Sequence, residues 1–408
     1  MKVTVMKFGG TSVADPEKIQ RAAERAVAMR RKGWGVVVVV SAPGEMTDEL
    51  IALAERVTPA PSDRELDQLI TTGEQVGISL FAMACQARGA DAVSLTGPQA
   101  GIVAVGGAAK AQIKTIRTAA IRRHLKAGRI VAVAGFQGVE NGDVVTLGRG
   151  GSDLTAVALA SALRTGRCEI FSDVKGVYTA DPRIVHEARK LSRISFEEML
   201  ELAGSGAQVM QARSMEVAER FGVEIHVRSA FHPQAGTWVV RKEKLMLEKA
   251  FVSSLALDKS EVRLTVVGVP DQPGVAAKVL TALAAEGIPV DMIIQSAPSQ
   301  AGVNDISFMT PKASAVKAKT ALEKVAKSLR AERVDLHEQV AKVSAVGTGF
   351  RHSPKIAATM FSALADCKIN IHMISASDLR VSCVVDLASG EAALKALHKA
   401  YGLAKGRR

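Results

Sequence analysis

Aromatic residues are scarce in this 408-residue chain: Phe, Trp and Tyr together make up 4% of it. Its core must therefore be built from Val, Ala, Leu and Ile, which bury apolar area without ring stacking. Cysteine is equally sparse. Cys85, Cys168, Cys367 and Cys383 show no CxxC spacing, so neither a disulfide framework nor a zinc site is indicated, and they read as core filler in a reducing compartment. No long hydrophobic run is present, because Val36 to Val40 is far shorter than the ~20 residues that span a bilayer. The N-terminus also lacks the charged, apolar and small-residue succession of a signal peptide. A cytoplasmic protein with no membrane partner is expected. Lysine and arginine exceed aspartate and glutamate, giving a net charge of +12. They are scattered and not interleaved with aromatics, so no nucleic-acid partner is expected, and the positive field suits anionic nucleotide and carboxylate substrates.

With 48% hydrophobic and 23% charged residues, the composition is that of a globular protein of two or three domains. Its organising stretch is the first: Val3 to Phe8 reads as a buried strand, Gly9 and Gly10 strip side chains from the turn, and Asp15-Pro16-Glu17 starts a helix. Strand, glycine turn and helix form a phosphate cradle, to which Lys7 adds a point charge. The spacing is neither that of a P-loop nor GxGxxG. GRGGSD at Gly148 to Asp153, where Arg149 and three glycines precede Ser152 and Asp153, is a second anion-binding turn of the same design.

Between and after these turns, the pattern predicts helices over Pro16 to about Lys32, Thr47 to Val57 and about Ser62 to Arg88. Thr71-Thr72-Gly73 inside the last of these marks either a break or the approach of a ligand. Strands are expected at Val36 to Val40, Ala92 to Thr96, Ile130 to Ala134, Cys168 to Ser172 and Glu224 to Arg228. Helices are expected at about Ala111 to Ala127 and at Leu191 to Leu202, with a further helix after the Gly204 turn. Alternation of this kind implies a mostly parallel sheet covered on both faces. Beyond it the chain repeats itself: Val266 to Ile293 is similar to Ala345 to Ile374, each being strand, proline-bearing turn, amphipathic helix and short strand. The expected organisation is an α/β three-layer domain over 1–245, a connector over 246–262, and two small α+β modules over 263–335 and 336–408.

KFGGTSVAD, VVVVVSAPGEMTDEL, TTGE, AGFQG, TLGRGGSD and FSDVKGVYTADPR occur in this order, followed by the paired repeats. The whole chain thereby resembles the aspartokinases, which have an amino-acid kinase domain followed by tandem ACT modules. The resemblance implies transfer of the γ-phosphoryl group of MgATP to the β-carboxylate of L-aspartate, giving 4-phospho-L-aspartate, the first step toward lysine, threonine and methionine. It further implies catalytic roles for Lys7, Glu74, Arg149 and Asp153. ATP would meet Lys7, Phe8, Gly9, Gly10, Ser41 and Ser152, together with Ser172, Asp173, Tyr178, Asp181, Arg183 and Gln208. Aspartate would meet Thr47, Glu74, Arg149, Gly150, Gly151 and Ser152, with Glu74 on its ammonium and Arg149 on its α-carboxylate. Mg2+ would arrive with the nucleotide, and no separate metal site is expected. Where the family usually carries GAKV or GSKV, this chain has Gly206-Ala207-Gln208-Val209, and Lys175 or a neighbouring arginine is the expected substitute for the missing charge.

In the repeats, Asp271, Gly274, Val275, Ala276 and Gln295, with Asn370 and Ile371, match the family's effector positions, implying lysine or threonine as feedback effectors. Pro298 and Asn304 stand where Ser and Thr are common in inhibited enzymes. Exposed sheet edges favour a homodimer or higher oligomer. No dinucleotide-binding domain follows the repeats in this sequence, so a monofunctional kinase is expected. The alternatives are a catalytically weak amino-acid sensor and another amino-acid kinase.

Overall fold

The computed structural model describes residues 1–207, 210–242, 252–296, 302–350 and 353–404. They fall into two compact units. The first comprises 1–177, 190–203 and 208–247, and the second 178–189, 204–207 and 248–408.

The first unit opens with β1 (Val3–Phe8) and α1 (Pro16–Arg31). Asp15 caps α1 by accepting from the Lys18 amide at 2.9 Å, and Pro16 takes the first helical position. β2 (Gly35–Val40) is buried along its whole length, as a β-branched strand between two helical layers must be. Next come α2 (Met46–Val57), α3 (Asp63–Gln86), β3 (Ala92–Leu95), β4 (Ile102–Val105) and β5 (Gln112–Ile116). α4 (Ala119–Lys126), β6 (Ile130–Ala134), β7 (Gln137–Glu140) and β8 (Asp143–Thr146) lead to α5 (Gly151–Ala162). β9 (Arg167–Ser172), β10 (Arg193–Ser195), α6 (Phe196–Gly204), α7 (Ala212–Phe221), β11 (Glu224–Ser229) and β12 (Thr237–Val240) follow.

The main sheet has the order β10-β12-β11-β9-β1-β2-β6-β3. All of its pairings are parallel except β11 with β12. Met6, Phe8, Val36, Val38 and Val40 pack with the apolar faces of α1 and α3, while α5 crosses β1, β2 and β9. The carboxyl ends of β1, β2 and β6 thus lie side by side, where ligands bind in sheets of this kind.

Three expectations are corrected, and of the two readings of Thr71-Thr72-Gly73 the break is ruled out. The helix expected over Ala111 to Ala127 is β5 followed by the shorter α4, and β5 joins β4, β7 and β8 in a separate four-stranded sheet. Leu191 to Leu202, expected to be helical, begins with strand β10. α3 is unbroken through Thr71-Thr72-Gly73, because its glycines admit the loop after β2: a Cβ on Gly73 would lie 2.9 Å from the Ala42 Cβ, and one on Gly77 would lie 2.7 Å from the Ser41 carbonyl oxygen. Finally, part of the expected connector is a strand, β13 (Val252–Asp258).

In the second unit, β14 (Glu261–Pro270), α8 (Val275–Ala285), β15 (Asp291–Gln295), β16 (Val303–Pro311), α9 (Ala315–Leu329) and β17 (Arg333–His337) form the first module. β18 (Val340–Gly347), α10 (Pro354–Asp366), β19 (Met373–Ala376), β20 (Arg380–Asp386) and α11 (Gly390–Ala400) form the second. Its sheet, β13-β18-β20-β19, takes its outer strand from before the first module, so the first module is inserted into the second. The two meet over Met292, Met309, Val340, Met373 and Val384. At this junction Lys342, with no exposed side-chain surface, lies 2.7 Å from Glu261 and 2.8 Å from Asp291.

Candidate active site

The glycine turn after β1 is shaped by close backbone approach. A Cβ on Gly10 would lie 2.7 Å from the Ala42 carbonyl oxygen, and Gly44 donates its amide to the Gly10 carbonyl at 3.0 Å. The second turn uses left-handed backbone at Gly148 (φ 74°) and Gly150 (φ 71°), with Gly150 as the N-cap of α5. That conformation is cheap for glycine alone. Thr155 ties the turn to the end of β6, accepting from the Phe136 amide at 3.2 Å and donating to the Gly151 carbonyl at 2.8 Å.

Between the two turns lies a cavity of about 270 Å3. Lys7 and Gly10 from the first turn face Gly150, Gly151, Ser152 and Asp153 from the second across it, and Ser41, Ala42, Thr47, Glu74 and Phe136 complete the wall. Lys7 Nζ lies 2.6 Å from Asp153 Oδ1, with both side chains largely buried. Glu74, 3% exposed, accepts the Ala42 amide through Oε1 at 3.2 Å. Its Oε2 is buried with no hydrogen-bond partner among the described residues. Burial pushes the Glu74 carboxyl up to about 7, with the Ala42 amide opposing. An incoming ammonium would satisfy that oxygen and return the charge to the carboxylate.

Several residues named from the sequence take other places. Phe8 has its ring in the core, stacked on Phe171 at 4.7 Å between centroids, because a strand side chain opposite Lys7 in the pleat faces α1 and α3. Gly9 spends its amide on the Phe171 carbonyl at 3.3 Å, so Gly10 is the glycine that reaches the cavity. Arg149 is exposed and does not line the cavity. Ser172 and Asp173 close on each other at the end of β9, Oγ to Oδ1 at 2.8 Å, outside the cavity wall. Lys175 is exposed, and Gln208 lies outside the described residues, as does Pro298. Tyr178, Asp181 and Arg183 belong to the second unit. Their segment is carried there by Ala180 and Val185, buried in the second module's core, and by Thr179, whose hydroxyl lies 3.0 Å from His398 Nε2. Asp181 and Arg183 pair with each other at 2.7 Å.

Of the expected effector residues, Gly274 (φ 92°) caps α8, and Val275 and Ala276 enter the first module's core. Asp271 accepts from the side-chain Nδ2 of Asn304 at 3.2 Å. Gln295 ends β15, while Ile371, next to exposed Asn370, packs on the second module's core.

Sequence reading missed three polar anchors. Asp67 binds Thr146, Gln137 donates to the Thr71 carbonyl at 3.1 Å, and Arg213 donates to the Leu147 carbonyl at 2.7 Å. Their partners are far away along the chain, so no local pattern marks them.

A model of the amino acid kinase family matches residues 2–229, and an ACT domain model matches 264–325 and 343–401. An aspartokinase of Mycolicibacterium smegmatis is 45% identical over 407 residues, covering 99% of this chain and 97% of its own. Among solved structures, E. coli aspartokinase III in complex with aspartate and ADP superposes with a TM-score of 0.79 at 27% identity, covering 98% of this chain and 99% of that one. The same enzyme in complex with lysine and aspartate gives a TM-score of 0.77 at 27% identity, covering the same shares of the two chains.

Proposed function

The chain belongs to the aspartokinases of the amino acid kinase family, and from that premise we infer that it phosphorylates the side-chain carboxylate of L-aspartate with ATP. One observation carries the assignment of the site: Glu74 Oε2, buried and unpartnered, and the Lys7 ammonium face one cavity. The first is complementary to a substrate ammonium and the second to phosphate oxygens.

In this reading Glu74 and the Arg149 turn hold the amino acid by its ammonium and α-carboxylate, leaving the β-carboxylate free. A carboxylate oxygen attacks the γ-phosphorus while the bond to the β-phosphate oxygen breaks, so that 4-phospho-L-aspartate and ADP leave. Lys7 neutralises charge on the transferring group, and Asp153 holds the Lys7 ammonium in line. The Gly10 and Gly151 turns let phosphate oxygens approach the backbone. Mg2+ travels with the nucleotide and supplies further neutralisation of the phosphates. Ser172 and Asp173 would meet the nucleoside side, and Lys175 would supply the charge that Gln208 lacks.

Lysine acts as a feedback effector through the ACT modules, as the E. coli relative in complex with lysine suggests. Threonine as a second effector, through Asp271, Gln295 and Asn370, extends the same proposal, as does a homodimer formed through the modules. A coupled ADP assay with L-aspartate, L-glutamate and N-acetyl-L-glutamate tests the assignment. ADP release with aspartate alone is expected, inhibited when lysine is added.

A further inference from the structure

Glu74 is not the only acidic side chain that α3 buries. Two turns earlier, Asp67 is 1% exposed and accepts three hydrogen bonds: from the Thr146 amide at 2.7 Å, the Thr146 hydroxyl at 2.7 Å and the Ala109 amide at 3.0 Å. A buried carboxylate is tolerated only when its oxygens are met in this way. Its partners have a common destination. Thr146 ends β8 and is followed by Leu147 and the turn at 148–151. The Thr146 carbonyl accepts the Ala111 amide at 3.2 Å, and Arg213 donates to the carbonyls of Leu147 and Ala111, at 2.7 and 3.0 Å, tying the residue after β8 to the one before β5.

The middle of α3 is equally constrained, because Gly73 and Gly77 seat it against the loop after β2. One helix without a break therefore carries both the Glu74 carboxylate and the anchor of the glycine turn. Seven residues separate Glu74 from Asp67, about 10 Å of helix.

We propose that Asp67 is a positioning residue for aspartate binding: through Thr146 it fixes the distance between Glu74 and the Arg149 turn, and so fixes the grip on the ammonium and α-carboxylate of one substrate. The inference rests on the reading of the cavity as the aspartate site. Nucleotide contacts made by the turn after β1 do not pass through this node. Its loss is felt most in the KM for aspartate and less in the KM for ATP, because the turn after β1 still meets the phosphates that the Gly151 backbone also reaches.

The test compares Thr146→Val, which keeps shape and removes the hydroxyl donor, with Thr146→Ser, which keeps the donor, and with Asp67→Asn. Expected for Thr146→Val and Asp67→Asn is an aspartate KM raised about tenfold or more, with a clearly smaller rise in the KM for ATP and a clearly smaller change in kcat. Thr146→Ser should behave as the parent. Equal changes in both KM values, a fall in kcat at unchanged aspartate KM, unaltered kinetics in Thr146→Val, or a Thr146→Ser as impaired as Thr146→Val would each overturn the proposal. Activity of the parent protein with aspartate is measured first. Its absence counts against the site reading, whereas an active parent with unresponsive variants counts against Asp67 alone.

Discussion

Lys7 Nζ lies 2.6 Å from Asp153 Oδ1, joining the end of the first strand to the first turn of α5. The pair closes one wall of the cavity, and each partner is held there by the other. Substituting Lys7→Met removes the cation while leaving Asp153 as an uncompensated acid facing the phosphates. A fall in kcat of about 10²–10³ is expected, with aspartate KM much less affected. Steady-state kinetics of Lys7→Met and Lys7→Arg check it, and a kcat near that of the parent in Lys7→Met would remove Lys7 from the phosphoryl-transfer step.

Glu74 gives the free protein a pH dependence of definite sign. Burial raises its carboxyl from 4.5 to about 7, so between those values the folded protein holds a proton that the unfolded chain has released. Stability without ligand should therefore decline as pH climbs through this window, by up to about 3 kcal/mol. Binding needs the charged form, so kcat/KM for aspartate should increase with pH toward a plateau above about 7, and Glu74→Gln should flatten the profile. Denaturant unfolding and initial rates across about pH 4–8, an interval that brackets the shift, check both.

Gly77 is a packing requirement. A Cβ there would lie 2.7 Å from the Ser41 carbonyl oxygen, which is backbone and cannot rotate away. Gly77→Ala should cost about 1–3 kcal/mol even though alanine favours helix. It should also raise aspartate KM by pushing the Glu74 helix from the β2 loop. Equilibrium unfolding that shows stabilisation instead would contradict the close approach.

Lys342 is the corresponding feature of the regulatory half. Its ammonium is buried between Glu261 and Asp291, which come from the other module. Lys342→Met leaves Glu261 without its cation and Asp291 with Arg380 alone, 4.0 Å away, and a loss of about 3–5 kcal/mol is expected. Adding Glu261→Gln and Asp291→Asn should recover much of it. Thermal unfolding of the single and triple variants checks the recovery.

Much of this architecture was legible in the residues themselves. GVVVVV can only be a strand buried on both faces, Asp15-Pro16 caps a helix, and the two glycine turns mark the ends of β1 and the start of α5. What escaped had no local signal. β5, at Gln112–Ile116, has no buried face and so no period-2 signal, although it pairs with β4, the strand just before it. β13 reads as a charged connector because it finds its partner, β18, only after a whole inserted module. At the site, Lys7, Glu74 and Asp153 line one cavity, and each stands in a motif legible in the sequence. Asp67 and Arg213 hold the backbone that leads into the glycine turn before Asp153, through Thr146 and Leu147, and nothing near them in sequence announces that task. Phe8 and Gly9 belong to the same motif as Lys7, yet one fills the core and the other bonds the Phe171 carbonyl.

The central claim is that the Lys7 and Glu74 cavity makes an acyl phosphate on aspartate. Trapping the product with hydroxylamine tests this most directly: purified protein, MgATP and L-aspartate should give aspartyl β-hydroxamate and ADP one for one, with the product lost in Lys7→Met. No hydroxamate from aspartate, or a hydroxamate formed from glutamate or N-acetylglutamate in its place, would contradict the account.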